Sequence, residues 1–294
     1  MAEKHILFDI DYKNLKVFDE FNVDNIQYPI VLSSPHSGQV FPKGFLDKIN
    51  LSSQELRDSE DIFVTELVKA ASSAGIPLIS ANIHRTFTDL NRDKIELDDT
   101  MYFDKEKVSE SANMRRCRVG LGVIHRVVAQ HKRIYDGLLS YPEAQLRLEK
   151  IYDPYHKRLH QIIEKVRKKF GFCLLIDCHS MPEKICHIMN ETKIVDFCLG
   201  NLFDESCPEQ ITAKMKDILE KYNWRVELNR PYAGAFITLN YCQPRKKIYT
   251  LHFEINKSLY ADEQTLTKNN KFQHISSVIS TSIVSLGNFL LDFK

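Results

Sequence analysis

The sequence predicts an α/β fold with a mixed, mainly parallel central sheet flanked by helices. Three observations carry that expectation. Short apolar runs of strand length recur along the chain, and longer segments of helical periodicity fall between them. The 294 residues, 43% of them hydrophobic, can bury a core large enough for one large domain spanning 1–294. Such alternation places helices over a sheet whose strands run mainly in one direction.

The strand-like runs are "YPIVLSSP" (28–35), "IPLISANI" (76–83), "FCLLIDCH" (172–179), "KIVDFCLG" (193–200) and "KIYTLHFEIN" (247–256). The helical patterns are "DIFVTELVKAASSAG" (61–75), "YHKRLHQIIEKVRKKFG" (155–171), "PEQITAKMKDILEKYN" (208–223) and "ISSVISTSIVSLGNFLLDF" (275–293). Gly75 and Gly171 stand just past the ends of the first two, where glycine relieves the left-handed turn that closes a helix. Residues 93–120 are charged and poorly periodic, and read as a long surface excursion and a candidate lid. No repeat, low-complexity tract or Pro/Gly linker marks a second domain.

Forty Lys and Arg against 39 Asp and Glu give a net charge of +1, so the totals offer no electrostatic case for nucleic acid or an anionic membrane as partner. A small polar substrate fits at least as well. The N-terminus "MAEKHILFDIDYKN" has no signal-peptide pattern, and no run approaches the roughly 18 apolar residues of a membrane span, so the expectation is a soluble cytoplasmic protein. The seven cysteines lack paired CxxC spacing and read as reduced thiols rather than a disulfide framework or a Cys-rich zinc module.

In a sheet of this kind, binding groups collect beyond the carboxyl ends of strands. The first strand ends in "SSPHSG", where Pro35 stiffens the chain, Gly38 permits a tight turn and His36 is the one strong ligand type. His179 follows "LLID", and Glu254 lies inside the apolar strand "LHFEIN", where an unpaired carboxylate would cost several kcal/mol or take up a proton. "RTFTDLNR" adds Arg85, Asp89, Asn91 and Arg92, of which the arginines are planar cations suited to carboxylates. Taken singly, each stretch has an ordinary structural explanation; together they point to a site.

These stretches resemble the N-formylglutamate amidohydrolase family, which is related to zinc carboxypeptidases and aspartoacylases. The resemblance rests on "SSPHSG", "RTFTDLNR", "GLGVIHR", "IYDGLLSYPEAQLRLEKIYDPYHKRL", "LLIDCHSMP", "LNRPYAGAFIT" and "FEINKSLY", collinear over about 28–262. It implies a zinc-carboxypeptidase-like (phosphorylase/hydrolase-like) architecture and one catalytic Zn²⁺ per chain, with other divalent metals as alternatives, held by two histidines and a carboxylate and leaving a position for water. His36 and His179 map onto the histidine ligands. The acid comes from "RDSEDIFVTEL", with Asp61 preferred and Asp58 and Glu60 open, because Gln39 stands where a carboxypeptidase HxxE motif would need an acid. By the same resemblance Glu254 is the general base and acid, Arg85 faces the oxyanion, and Asn91 and Arg92 grip the substrate carboxylate. Arg126, Arg230 and Tyr232 are further substrate contacts, although Ala235 replaces the second glycine usual in that last loop.

Asp177 has three readings: orienting a metal-bound imidazole, pairing with an arginine or capping the next turn. His156 and His160, at i,i+4, lack the Glu of HExxH and are assigned a pocket or structural role and a surface role. The expected substrate is a small carboxylate-bearing N-acyl amino acid, most directly N-formyl-L-glutamate, cleaved to formate and L-glutamate. One rival is a metallohydrolase for another N-acyl amino acid or peptide. A second is a Ser or Cys amidase using Ser37, Ser180 or Cys178, which lacks the GxSxG elbow, and a third is a non-catalytic binding protein. The sequence leaves the oligomeric state open.

Overall fold

The computed structural model describes residues 4–104, 114–128, 131–188 and 194–293. The chain divides into two compact units, interleaved in sequence: 1–19, 38–60 and 81–158 form one, and 20–37, 61–80 and 159–294 the other.

The larger unit is built on a sheet of seven strands: β1 (Phe18–Phe21), β2 (Ile30–Ser34), β3 (Leu78–Ala81), β4 (Cys173–Met181), β5 (Phe197–Gly200), β6 (Val226–Leu228) and β7 (Ile248–Asn256). Their order is β1-β3-β2-β4-β7-β5-β6. β3, β2, β4 and β7 are mutually parallel, β5 runs antiparallel to β7, and β6 is parallel to β5. The expected mixed, mainly parallel sheet is therefore present. β5 is shorter than "KIVDFCLG", with residue 193 outside the described residues, and β1 and β6 are edge strands too short or too polar to signal themselves.

Helices α1 (Val64–Ser73), α3 (Glu209–Glu220) and α4 (Phe272–Leu291) supply apolar side chains to one core with Ile30, Leu32, Leu174, Ile176, Cys178, Leu251, Phe253 and Ile255. Strand alternation explains which residues reach this core: on β4 Leu174, Ile176 and Cys178 enter it, leaving Asp177 and His179 on the opposite face. α1 and α4 are also tied by the Ser276 and Ser280 hydroxyls, which donate to the Leu67 carbonyl at 3.2 and 3.1 Å. The expectation that no segment could span a membrane meets one exception. By length and composition α4 could do so, yet more than half of it is buried in this core through residues such as Ile279, Ile283 and Leu286.

A helix at Tyr141–Arg147 in the smaller unit passes through a π turn at Leu148–Tyr152 into α2 (Asp153–Phe170), whose residues from 159 on belong to the larger unit. The expected helix thus begins earlier, and the widened turn sits where Pro154 lacks the N–H an ordinary α-helical turn would use. Gly75 and Gly171 have φ of 111° and 83°, as their positions past helix ends require. Gly38 serves differently from the tight turn expected: a Cβ there would lie 2.2 Å from the Ile83 carbonyl oxygen, so close backbone approach is the constraint. The 93–120 stretch is not simply surface. Leu97, Met101 and Tyr102 are buried around a short helical turn at Asp99–Met101, while residues 105–113 of the candidate lid lie outside the described residues.

Candidate active site

Because β2, β4 and β7 are parallel neighbours, their carboxyl ends share one edge of the sheet, where His36, His179 and Glu254 were expected. The β4–β7 register sets Asp177 opposite His252 and His179 opposite Glu254, and the period of two turns all four side chains to one face. His36 follows β2 by two residues. Asp61, just before α1, is brought to it by backbone: the Asp61 N–H donates to the His36 carbonyl at 3.1 Å, and the Ser37 hydroxyl donates to the Asp61 carbonyl at 3.1 Å. The Tyr260 hydroxyl donates to the next carbonyl, that of Ile62, at 2.9 Å.

The Asp61 carboxylate thus meets both histidines. Its Oδ2 lies 2.8 Å from His179 Nδ1 and 3.4 Å from His36 Nδ1, and its Oδ1 accepts from the Ser180 hydroxyl at 3.2 Å. On the far side of the ring, His179 Nε2 is 3.0 Å from Asp177 Oδ2. The same oxygen lies 3.3 Å from His252 Nδ1, and His252 Nε2 is 2.9 Å from Glu254 Oε1. All seven residues are buried. Burial works against charge on Asp61, but the bonds to His179 and His36 outweigh it and hold the carboxyl well below its usual range. Burial likewise opposes protonation of His179, and Asp177 and Asp61 overcome it, raising the imidazole well above its usual value.

Two overlapping groups of potential ligands result: His36, Asp61 and His179, and Asp177, His179 and His252. Each offers two imidazole nitrogens and one carboxylate oxygen, a donor set that suits zinc. The first also leaves a carboxylate behind one of its imidazoles. Asp177 then stands behind His179, where an acceptor for the second ring N–H of a metal-bound imidazole belongs. Of the three acids left open by sequence, Asp61 is the one the fold brings to His36 and His179. Glu60 pairs with Arg57 at 2.6 Å and accepts from Gln39 at 2.7 Å, and Asp58 is exposed.

The arginine-rich loop lies in the smaller unit and is organised by Asp89, which is fully buried. Its Oδ2 accepts from Arg85 Nη2 at 2.7 Å and lies 2.9 Å from His125 Nε2, and its Oδ1 accepts from the Asn91 N–H at 2.8 Å. Arg85 also donates to the Ser59 carbonyl at 3.4 Å. Arg92 donates to the carbonyls of Leu121 and Asn91 at 3.0 and 2.8 Å. Arg126 is held by Asp98 at 2.8 Å and by the Arg118 carbonyl at 3.1 Å. In the larger unit Arg230 and Tyr232 are exposed on a loop fastened at its start by reciprocal bonds between Asn229 and Asn201. His156 is bonded to the Leu90 carbonyl at 2.9 Å, the structural alternative, and His160 is exposed.

The geometry disfavours the Ser or Cys amidase rival. Cys178 faces the apolar core, where burial pushes its thiol well up, and the Ser37 and Ser180 hydroxyls both donate to Asp61. Three buried histidines escaped the sequence reading, of which His84 is bonded to the Thr86 hydroxyl at 2.8 Å. His252 carried a signal, since it precedes Glu254 by two in a strand and so shares its face. His125 carried none, because its partner Asp89 is 36 residues away.

The N-formylglutamate amidohydrolase family model matches residues 28–261. The chain is 27% identical over 238 residues to N-formylglutamate deformylase of Pseudomonas putida, covering 80% of this chain and 82% of that protein. For the enzyme of that name from Pseudomonas aeruginosa the identity is 24% over 241 residues, covering 80% and 83%. Among solved structures, N-formylglutamate amidohydrolase from Ralstonia eutropha JMP134 superposes with a TM-score of 0.86 at 25% identity, covering 94% of this chain and 99% of that one. With seven collinear motifs and a family match that spans most of its length, the chain belongs to the N-formylglutamate amidohydrolase family.

Proposed function

We propose that the chain hydrolyses the amide of N-formyl-L-glutamate to formate and L-glutamate, using a divalent metal, zinc by preference, held by His36, Asp61 and His179. The observation that carries this reading is the convergence of His36 Nδ1, Asp61 Oδ2 and His179 Nδ1 on one buried point, in a chain of this family. The family match runs through segments of both compact units, which supports taking them as one catalytic domain.

A zinc ion held there would polarise the amide carbonyl and acidify water. The chain's own residues do the rest. Asp177 orients His179 through Nε2. Glu254 takes a proton from the attacking water as its oxygen bonds to the formyl carbon, and returns that proton to the nitrogen as the C–N bond breaks. Arg85, held by Asp89, stabilises the developing oxyanion. Asn91 and Arg92 bind substrate carboxylate, and Arg126, Arg230 and Tyr232 are further candidate contacts, of which Arg126 is already engaged by Asp98.

Metal content of the purified protein, measured with formate and glutamate release before and after chelation, tests this reading. Near one zinc per chain, with activity lost on chelation and restored by zinc, supports it; full activity without metal rejects it. A second reading, hydrolysis of a different N-acyl amino acid, is favoured by Ala235 in place of the usual glycine. A panel of N-formyl, N-acetyl and N-succinyl amino acids decides between them, because small pocket changes move specificity by about 1–3 kcal/mol.

A further inference from the structure

We propose that His252 is the positioning residue for Glu254, fixing the carboxylate so that one oxygen remains available for proton transfer. The proposal rests on reading Glu254 as the general base. Glutamate has three side-chain torsions and is poorly suited to hold one geometry unaided. Here Glu254 Oε1 lies 2.9 Å from His252 Nε2, and no partner engages its buried Oε2 among the described residues. The two residues stand two apart on β7 and therefore on one face.

The imidazole is itself held from behind. Its Nδ1 faces Asp177 Oδ2 at 3.3 Å, and the Thr238 hydroxyl lies 3.5 Å from the same nitrogen. Asp177 is placed opposite His252 by the β4–β7 register, so the strand pairing sets the ring and the ring sets the carboxylate. The competing role is that of a metal ligand in the group with Asp177 and His179. His252 is the member of that group whose Nε2 meets Glu254, and metal content separates the two roles. An imidazole whose Nε2–H donates to Glu254 Oε1 leaves Oε2 as the proton acceptor, which is what a positioned base requires.

The test compares zinc-loaded wild type with H252L, H252Q, E254Q and H252L/E254Q. Each is measured for kcat and KM on N-formyl-L-glutamate, zinc content and far-UV circular dichroism. H252L removes the donor and is expected to lower kcat about 10–100-fold with KM within about twofold and zinc retained. H252Q keeps an N–H donor at the end of a shorter reach and should recover most of that loss. In the E254Q background, adding H252L should cost no more than about twofold, because the two residues act as a unit. If H252L does not fold, H252M provides the same donor-free comparison.

Loss of zinc in H252Q and the donor-free variant would make His252 a ligand and overturn the proposal. So would an H252Q as impaired as the donor-free variant, or a raised KM with unchanged kcat. Wild-type kcat in E254Q would instead remove the general-base reading itself. An inactive E254Q beside a fully active H252L would remove only the positioning role.

Discussion

Arg147 in the smaller unit and Asp61 in the larger are both charged and both enclosed by protein, yet their surroundings differ in kind. The Arg147 guanidinium lies 3.9 Å from the Phe87 ring centre and 5.0 Å from that of Phe8. It pairs with Glu143 at 2.6 Å and donates to the Phe87 carbonyl and the Tyr135 hydroxyl at 3.1 and 3.0 Å. Burial disfavours this cation, and Glu143 more than offsets that, so one acid and several ring faces neutralise it locally. Around Asp61 the count is different. Three carboxylates, Asp61, Asp177 and Glu254, are interleaved with three imidazoles, and with the imidazoles neutral the group carries an excess of negative charge that protons or a bound cation offset. The first arrangement is complete as built, whereas the second is complete only with a mobile charge, which is the property expected of a site rather than of a core.

That contrast can be broken by removing a member of each cluster. His179→Ala should abolish zinc binding and lower kcat/KM by at least about 10³-fold, and zinc should no longer raise the melting temperature; metal analysis and calorimetry read both effects. A variant that still binds one zinc and melts higher with it would show that the cation does not belong at this point. Arg147→Met should instead destabilise the fold by about 3–5 kcal/mol in denaturant titration, because it strands the Glu143 carboxylate. Zinc stoichiometry should be unchanged in the folded fraction, so an intact Tm with altered metal content would reverse the assignment of the two clusters.

His125 sharpens the comparison through pH. Burial in the smaller unit pushes its pKa down to about 4 despite the Asp89 bond, whereas the unfolded chain takes up this proton near about 6.5. Between those values the unfolded state binds more protons, so stability falls as pH falls, by about 3 kcal/mol across the window. His125→Gln, which keeps a donor for Asp89, should be less sensitive by that amount in unfolding measured at pH 7, 5.5 and 4.5. Equal slopes for the two proteins would show that His125 is not held neutral. The smallest effect is expected for Asp177→Asn, which should weaken zinc affinity about 10–100-fold while leaving the ligands in place. Unchanged affinity would mean that the contact behind His179 does not tune the metal.

Much of the larger unit was legible in sequence because its elements carry local signals. The apolar runs around 30–34, 173–181 and 248–256 are central strands buried on both faces, and such strands read as continuous hydrophobic stretches. Histidines at two of their ends were visible for the same reason. The choice among Asp58, Glu60 and Asp61 was not, because adjacent acids look alike until backbone bonds carry one of them to His36. His252 was passed over as a strand residue, although its spacing from Glu254 placed both on one face. Buried Leu97, Met101 and Tyr102 were hidden among charged neighbours, since irregular segments have no period to betray which side chains turn inward.

The alternation of β4 also gives the protein a chemical clock. All seven cysteines are free, and six are buried while Cys242 is partly accessible. Cys178 lies one residue before His179 and on the reverse face of the same strand. A thiol reagent can reach it only when that strand has come away from its core, so the rate at which Cys178 is alkylated measures how often the segment carrying His179 opens. Mass-spectrometric labelling with and without zinc would then report, residue by residue, how firmly an ion on one side of the strand fastens the packing on the other.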